Sequence, residues 1–238
     1  MESVEKNEGG SVMKKKRAQI MKVIFVLSAM LPLAAFSAAD VSADFYVIAG
    51  SQGVGTEIRS LPYTISSSGF YYITKDLSCE AGSHGITINV DNVTVDLMGF
   101  SLVGPGGTGD DDGIYMMGRE NVGIRNGTVR NFNNCGIRDS AVGAGHHIFN
   151  IRVKDNASIG ICLHSRSNII KNCTAVKNGS HGIYAGVGST IIGNTCSGNT
   201  DHGIYLRDYS LVDQNSAYNN GTNMNSATGC VFGKNVAP

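Results

Sequence analysis

A chain of 238 residues with 19 Lys+Arg against 19 Asp+Glu has no positive excess for holding a polyphosphate, which excludes a nucleic-acid binder built on a basic surface. With 31 Gly, 21 Asn, 4 Pro and no Trp, it is too rich in poor helix formers to be mainly helical. At 42% hydrophobic residues it is too apolar for disorder, which leaves many short strands joined by many tight turns.

Residues 1–39 read as a secretory signal. Lys14 to Arg17 form a basic cluster, the run from Val23 to Phe36 is apolar, and Ser37-Ala38-Ala39 supplies small residues for cleavage. The apolar run is shorter than the ~20 residues a membrane-crossing helix needs. Residues 1–12 precede the basic cluster awkwardly, and translation from Met13 would yield the same leader. The leader carries six basic and three acidic residues, so its removal leaves 13 against 16 and a net charge of −3. The expected product is secreted or periplasmic, with no membrane span after cleavage and no nucleic-acid partner.

Residues 40–84, with Tyr46, Tyr63, Phe70, Tyr71 and Tyr72, are expected to form an N-terminal cap with the first strands. From residue 85 to 222 the chain repeats. Gly-Ile pairs begin at Gly85, Gly113, Gly136, Gly160, Gly182 and Gly203, and an Asn series runs in step at Asn126, Asn150, Asn172, Asn194 and Asn215. After each Gly the alternation of side chains predicts a short strand with the first and third residues inward. A repeat of about 22 residues cannot close a core alone, but stacked coils bury a continuous apolar column. The predicted fold is all-β, a single-stranded right-handed parallel β-helix of about seven coils. Each Gly is read as serving a tight corner and each Asn as one rung of a ladder at a bend. Residues 223–238 break the repeat and read as a C-terminal cap. Six cysteines show no CxxC spacing and their pairing is open; Cys173 and Cys196, about one coil apart, are expected to stack as thiols. The Asn-x-Ser/Thr triplets at Asn92, Asn126, Asn156 and Asn178 are by-products of the Asn repetition.

The stretch from Tyr63 through Gly69-Phe70-Tyr71-Tyr72-Ile73, that from His84-Gly-Ile-Thr-Ile to Gly99-Phe100, and the Gly-Ile/Asn repeats after them resemble the right-handed β-helix proteins of the pectin-lyase-like superfamily. Within it, the chain is similar to the short-repeat group that includes periplasmic copper-maturation proteins. The resemblance spans roughly residues 45–238. It implies the fold; the superfamily holds lyases, hydrolases, epimerases, adhesins and binding proteins, so it implies no single activity. Copper delivery finds no support in the residues, since Met98, Met116, Met117 and Met224 form no ligand motif.

Functional residues are expected where the repeat is violated. The Gly85–Gly113 interval is 28 residues and contains Gly104 to Asp112; the path from Ile137 to Asn150 is 13 residues and contains Gly143 to His147. The two insertions are predicted to wall a groove with Tyr115 and Arg138 as its floor, suited to an extended polymer. Asp139 stands at an inward position held elsewhere by apolar residues, where an unpaired carboxylate is costly. The candidate catalytic residues are therefore Arg138, Asp139 and His147. Tyr115, Tyr184, Tyr205 and Arg207 are candidate substrate-binding residues, the tyrosines offering faces for sugar rings. Asp110, Asp111 and Asp112 are candidate metal ligands, for which a hard ion such as Ca2+ is the fitting occupant. Plainer explanations stand beside these: a solvated acidic turn, an exposed His pair, ordinary stacking of tyrosines. The functional expectation is a polysaccharide-binding or structural surface protein, the alternative a lyase or epimerase acting on uronic-acid glycans. For hydrolysis, Asp139 and Asp111 are the only pair to nominate.

Overall fold

The structure, a computed structural model, describes residues 55–225 and 227–238. The predicted leader and Tyr46 lie outside the described residues. All regular structure described is strand, and every pairing is parallel. An eight-stranded sheet runs Tyr63–Ile65, Ile86–Ile88, Ile114–Met116, Ile137–Asp139, Ile161–Leu163, Ile183–Ala185, His202–Leu206, Thr222–Met224, each strand pairing with the next. A 14-stranded sheet supplies the other two sides of the coil. The chain is a right-handed parallel β-helix of about seven coils, as predicted; seven steps of about 4.8 Å make it about 34 Å long.

The Gly-Ile register holds throughout. Ile86, Ile114, Ile137, Ile161, Ile183 and Ile204 lie one on the next in the sheet and are all fully buried. Each such side chain removed from water contributes ~2–3 kcal/mol. Thr87, Tyr115, Arg138, Cys162, Tyr184 and Tyr205 form the middle row of the opposite, outer face.

The coil turns at left-handed residues spaced five apart. Asn121, Asn126 and Asn131 have positive φ, and the same three corners recur at Gly145, Asn150 and Asp155, at Ser167, Asn172 and Lys177, and at Gly188, Gly193 and Gly198. Asn tolerates this conformation at little cost. The predicted single Asn series is in fact two. Asn126, Asn150 and Asn172 sit at left-handed corners, whereas Asn194 and Asn215 lie one position later and point inward, fully buried. Asn194 Nδ2 donates to Asn215 Oδ1, and Asn215 Nδ2 to Asn235 Oδ1, both at 3.0 Å. A further buried ladder links Asn156, Asn178, Asn199 and Asn220 through Nδ2–Oδ1 bonds of 2.8–3.0 Å. Each of these amides also caps the backbone of the neighbouring coil, so a buried polar column is fully satisfied.

That ladder explains the glycines, and corrects their predicted role. The Gly preceding each Ile does not have positive φ; it is small because of what lies against it. A Cβ on Gly160 would stand 2.6 Å from the Gly182 carbonyl oxygen and 2.8 Å from Asn178 Nδ2, and the contacts repeat at Gly136 and Gly182. Cys173 and Cys196 do not stack on each other either. Cys173 occupies the column of Asn194, while Cys196 pairs with Ala175 and Ala217.

Both ends of the described chain continue the sheets. Tyr63, Gly69 and Leu77 already pair in register with Ile86, Val93 and Leu102, so regular coils begin before the Gly-Ile series. At the other end Thr222–Met224 and Val231–Phe232 continue both sheets, and Asn235 supplies the last rung of a ladder. No helix among the described residues is long and apolar enough to cross a membrane.

Candidate functional site

The outer face of the eight-stranded sheet gathers most of the chemically versatile side chains. Its middle row is Thr87, Tyr115, Arg138, Cys162, Tyr184, Tyr205. The residues just before each Gly form a leading row of His84, Asp112, Cys135, Ile159, His181 and His202. The residues after each strand form a trailing row that includes Ser140, His164 and Arg207. Buried Cys135 and Cys162 divide the face into two patches.

In the first patch the His84 and Tyr115 rings stack at 4.3 Å, and the Tyr115 hydroxyl lies 3.1 Å from Ser140 Oγ. Asp112 ends the Gly-rich insertion and turns onto this face. Its Oδ1 accepts from the Cys135 backbone N–H at 3.0 Å. Its Oδ2 is buried with no hydrogen bond, 3.5 Å from His84 Nδ1 and 3.7 Å from Arg138 Nη1. Burial pushes the Asp112 carboxyl up to about 6 against the opposing pull of the Cys135 N–H and Arg138. Burial also lowers His84, whose Nδ1 accepts from the Asp112 backbone N–H.

In the second patch, Tyr184 and Tyr205 stack at 5.2 Å and 8°, and His181 stacks on Tyr205 at 5.0 Å. His164 leans on Tyr184 at 4.7 Å. Burial lowers His164 and His181, with Arg138 adding to the effect on His164, so both imidazoles are neutral at neutral pH. Arg207 is exposed beside Tyr205 in a shallow cleft shared with Asp208 and Asn225.

The residues expected to line a groove do not all come together. Tyr115, Arg138, Tyr184, Tyr205 and Arg207 share one face, as expected. Asp139 does not reach it. Fully buried, it faces inward and accepts from His146 Nε2 at 3.3 Å and from the Gly118 N–H at 3.2 Å. His146 Nδ1 accepts from the Val122 N–H, which fixes the proton on Nε2 and makes the pair an internal pin between the sheets. Burial alone would raise Asp139, but hydrogen bonds from His146, Ser165 and the Gly118 N–H hold it below its ordinary value. His147 is exposed on the other sheet, paired with Gly123 and Ile169, so it cannot act with Arg138 on one substrate.

The acidic loop also differs from a metal cradle. Asp110 is exposed, but Asp111 and Asp112 are buried, Asp112 against His84 and Arg138 of the outer face. Asp111 Oδ2 accepts from the Gly82 N–H and Asn133 Nδ2. Gly104 and Gly109 serve close approach, a Cβ on Gly104 standing 2.5 Å from the backbone at Asn131 and Phe132, whereas Gly106 and Gly107 supply left-handed turns. Among the described residues, the one grouping of His, Cys, Asp and Glu whose ligand atoms come together is His181, Asp201 and His202. His84 and His164 escaped the sequence reading. Their places in the leading and trailing rows are the signal that would have found them.

A family description, "Right handed beta helix region", matches residues 60–221. A search of curated protein sequences finds no match. Among solved structures, the chain is similar to the A-module of the Azotobacter vinelandii mannuronan C-5 epimerase AlgE4, with 19% identity and a TM-score of 0.55 over 68% of this chain and 50% of that one. It is also similar to the periplasmic alginate epimerase AlgG, with 14% identity and a TM-score of 0.52 over 71% and 50%. The Dettilon tailspike protein matches with 16% identity and a TM-score of 0.50 over 74% and 46%. The chain thus spans about half the length of each of these structures, and at these identities the likeness is one of fold.

Proposed function

The chain belongs to the right-handed β-helix family, and from that premise we propose that the outer face of its eight-stranded sheet binds an extended acidic polysaccharide outside the cytoplasm. The observation that carries this is the run of stacked rings along the helix axis: His84 on Tyr115, then His164, Tyr184, Tyr205 and His181. Fixed aromatic faces receive sugar rings at little entropic cost. Arg138 and Arg207, one in each patch, provide charge for carboxylates of the polymer. The fold neighbours, named for mannuronan, for alginate and for a tailspike, support a polysaccharide as the ligand, and the predicted leader supports export.

Affinity electrophoresis checks this. Migration should slow in gels containing alginate or polygalacturonate and remain unchanged in a neutral glucan. Equal migration in all of them contradicts the reading.

A second reading, catalysis on the same polymer, is favoured by one arrangement: the neutral His164 imidazole beside Tyr184, near Arg138. A neutral imidazole can take the proton beside a uronate carboxylate while an arginine offsets the charge that develops. Elimination would appear as ultraviolet absorbance of an unsaturated product, and epimerisation as exchange of the sugar C5 proton with solvent deuterium. Either signal, lost in His164→Gln with affinity retained, would make the protein an enzyme. Binding without either signal leaves it a binding protein.

A further inference from the structure

We propose that His181, Asp201 and His202 form a binding site for a divalent transition-metal ion of the zinc class. The two histidines occupy the leading row on consecutive coils, and Asp201 precedes the second of them. Ligand atoms of all three residues lie within 4.8 Å of one another. His181 Nδ1 and Asp201 Oδ2 are 3.3 Å apart. Two ligands of a tetrahedral zinc ion at ~2.0–2.1 Å would be separated by about 3.4 Å.

The hydrogen bonding points to a cation more directly. His181 Nδ1 accepts from the His202 backbone N–H at 3.3 Å, so it has no proton to offer the carboxylate. Two acceptors therefore face each other. His202 Nδ1 lies 2.7 Å from Asp201 Oδ1, yet it is buried and makes no hydrogen bond. A buried imidazole nitrogen left without a partner beside a carboxylate oxygen is what a metal ion satisfies, and His181 Nδ1 would exchange its 3.3 Å contact with the His202 N–H for the same ion. The rings are also held in place beforehand. His181 stacks on Tyr205 at 5.0 Å, and His202 meets the edges of Tyr205 and of His181 at 5.1 Å each.

Donor chemistry selects the ion. Two imidazoles with one carboxylate suit zinc, cobalt or nickel and are poor partners for Ca2+ or Mg2+, which prefer oxygen. Three protein ligands leave one position open toward solvent, as in zinc sites that engage a further ligand. The site shares His181 with the aromatic run, needs no polysaccharide to hold its ion, and calls for no catalytic step.

The test uses Co2+ as a coloured probe with protein that carries no oligohistidine tag and has Cys230→Ser, so that the half-exposed thiol does not compete. One equivalent of Co2+ should give a visible d–d band that Zn2+ displaces and Ca2+ does not. Asp201→Asn and His202→Gln should lose the band while keeping the wild-type circular dichroism, and His84→Gln, in the same row of the other patch, should keep it. Zn2+ should raise the Tm of the parent protein and leave that of both variants unchanged. No band in the parent, or a band that survives in both Asp201→Asn and His202→Gln, overturns the proposal.

Discussion

Asp112 shows how one residue's surroundings set its behaviour. It ends an insertion, is fully buried, and has an oxygen that hydrogen bonds to neither His84 nor Arg138. Its carboxyl holds a proton up to about pH 6 in the fold against an ordinary value of 3.8. A raised folded-state pKa contributes stability that is fully present below about pH 4 and is lost as pH rises through 6. Asp112→Asn keeps the acceptor for the Cys135 N–H and removes that titration. Relative to wild type, the variant should therefore be more stable at pH 7 than at pH 4, by on the order of 2–3 kcal/mol. Tm measured for both proteins at the two pH values checks this; parallel pH profiles would exclude it. Asn178 is the opposite case, a buried polar group with every partner in place. Its Oδ1 accepts both the backbone N–H and the Nδ2 of Asn156. Asn178→Ala leaves these donors unpaired and should cost about 2–4 kcal/mol in urea unfolding, with an unchanged m-value. The sequence shows that position 178 repeats, but not that it faces inward, because Asn is equally suited to exposed corners and buried ladders.

Among the elements, the Gly-Ile strand was the most legible. Period-two alternation after each Gly identified inward and outward residues, and the structure keeps that register from Ile86 to Ile204. The Asn columns were less so, for a geometric reason. From Ser167 onward the corners repeat every 21 residues, as in Asn172 to Gly193, whereas the Asn one coil on, Asn194, is 22 away and belongs to the inward column. Composition alone also could not separate glycines needed for φ from glycines needed for space. Gly160→Ala places a methyl against the Gly182 carbonyl and Val153, and should cost about 1–3 kcal/mol. Gly145, at a left-handed corner with nothing within 4 Å of its would-be Cβ, should accept Asn with little change. Chemical denaturation of the two variants separates the roles; equal midpoints would mean that the Gly column is not a packing device.

The whole molecule is a stack in which each coil touches its neighbours, so its rows of side chains run the full length of the helix. That geometry turns a repeated sequence position into a linear surface, and it is why His84 and His202, distant in the chain, share one face. The insertions break the regularity, but their contribution could not be read before the fold was known. One delivers Asp112 to the outer face, and the other turns His146 inward to Asp139 and leaves His147 on a different sheet. Calorimetric titration of uronate oligosaccharides into wild type, into Tyr184→Ala/Tyr205→Ala and into His147→Ala tests directly whether the outer face of the eight-stranded sheet is the binding surface. Loss of two stacking rings at ~1 kcal/mol each should weaken binding by roughly tenfold or more, with His147→Ala unchanged. Undiminished affinity in the double variant, or a loss confined to His147→Ala, would place the ligand elsewhere and contradict it.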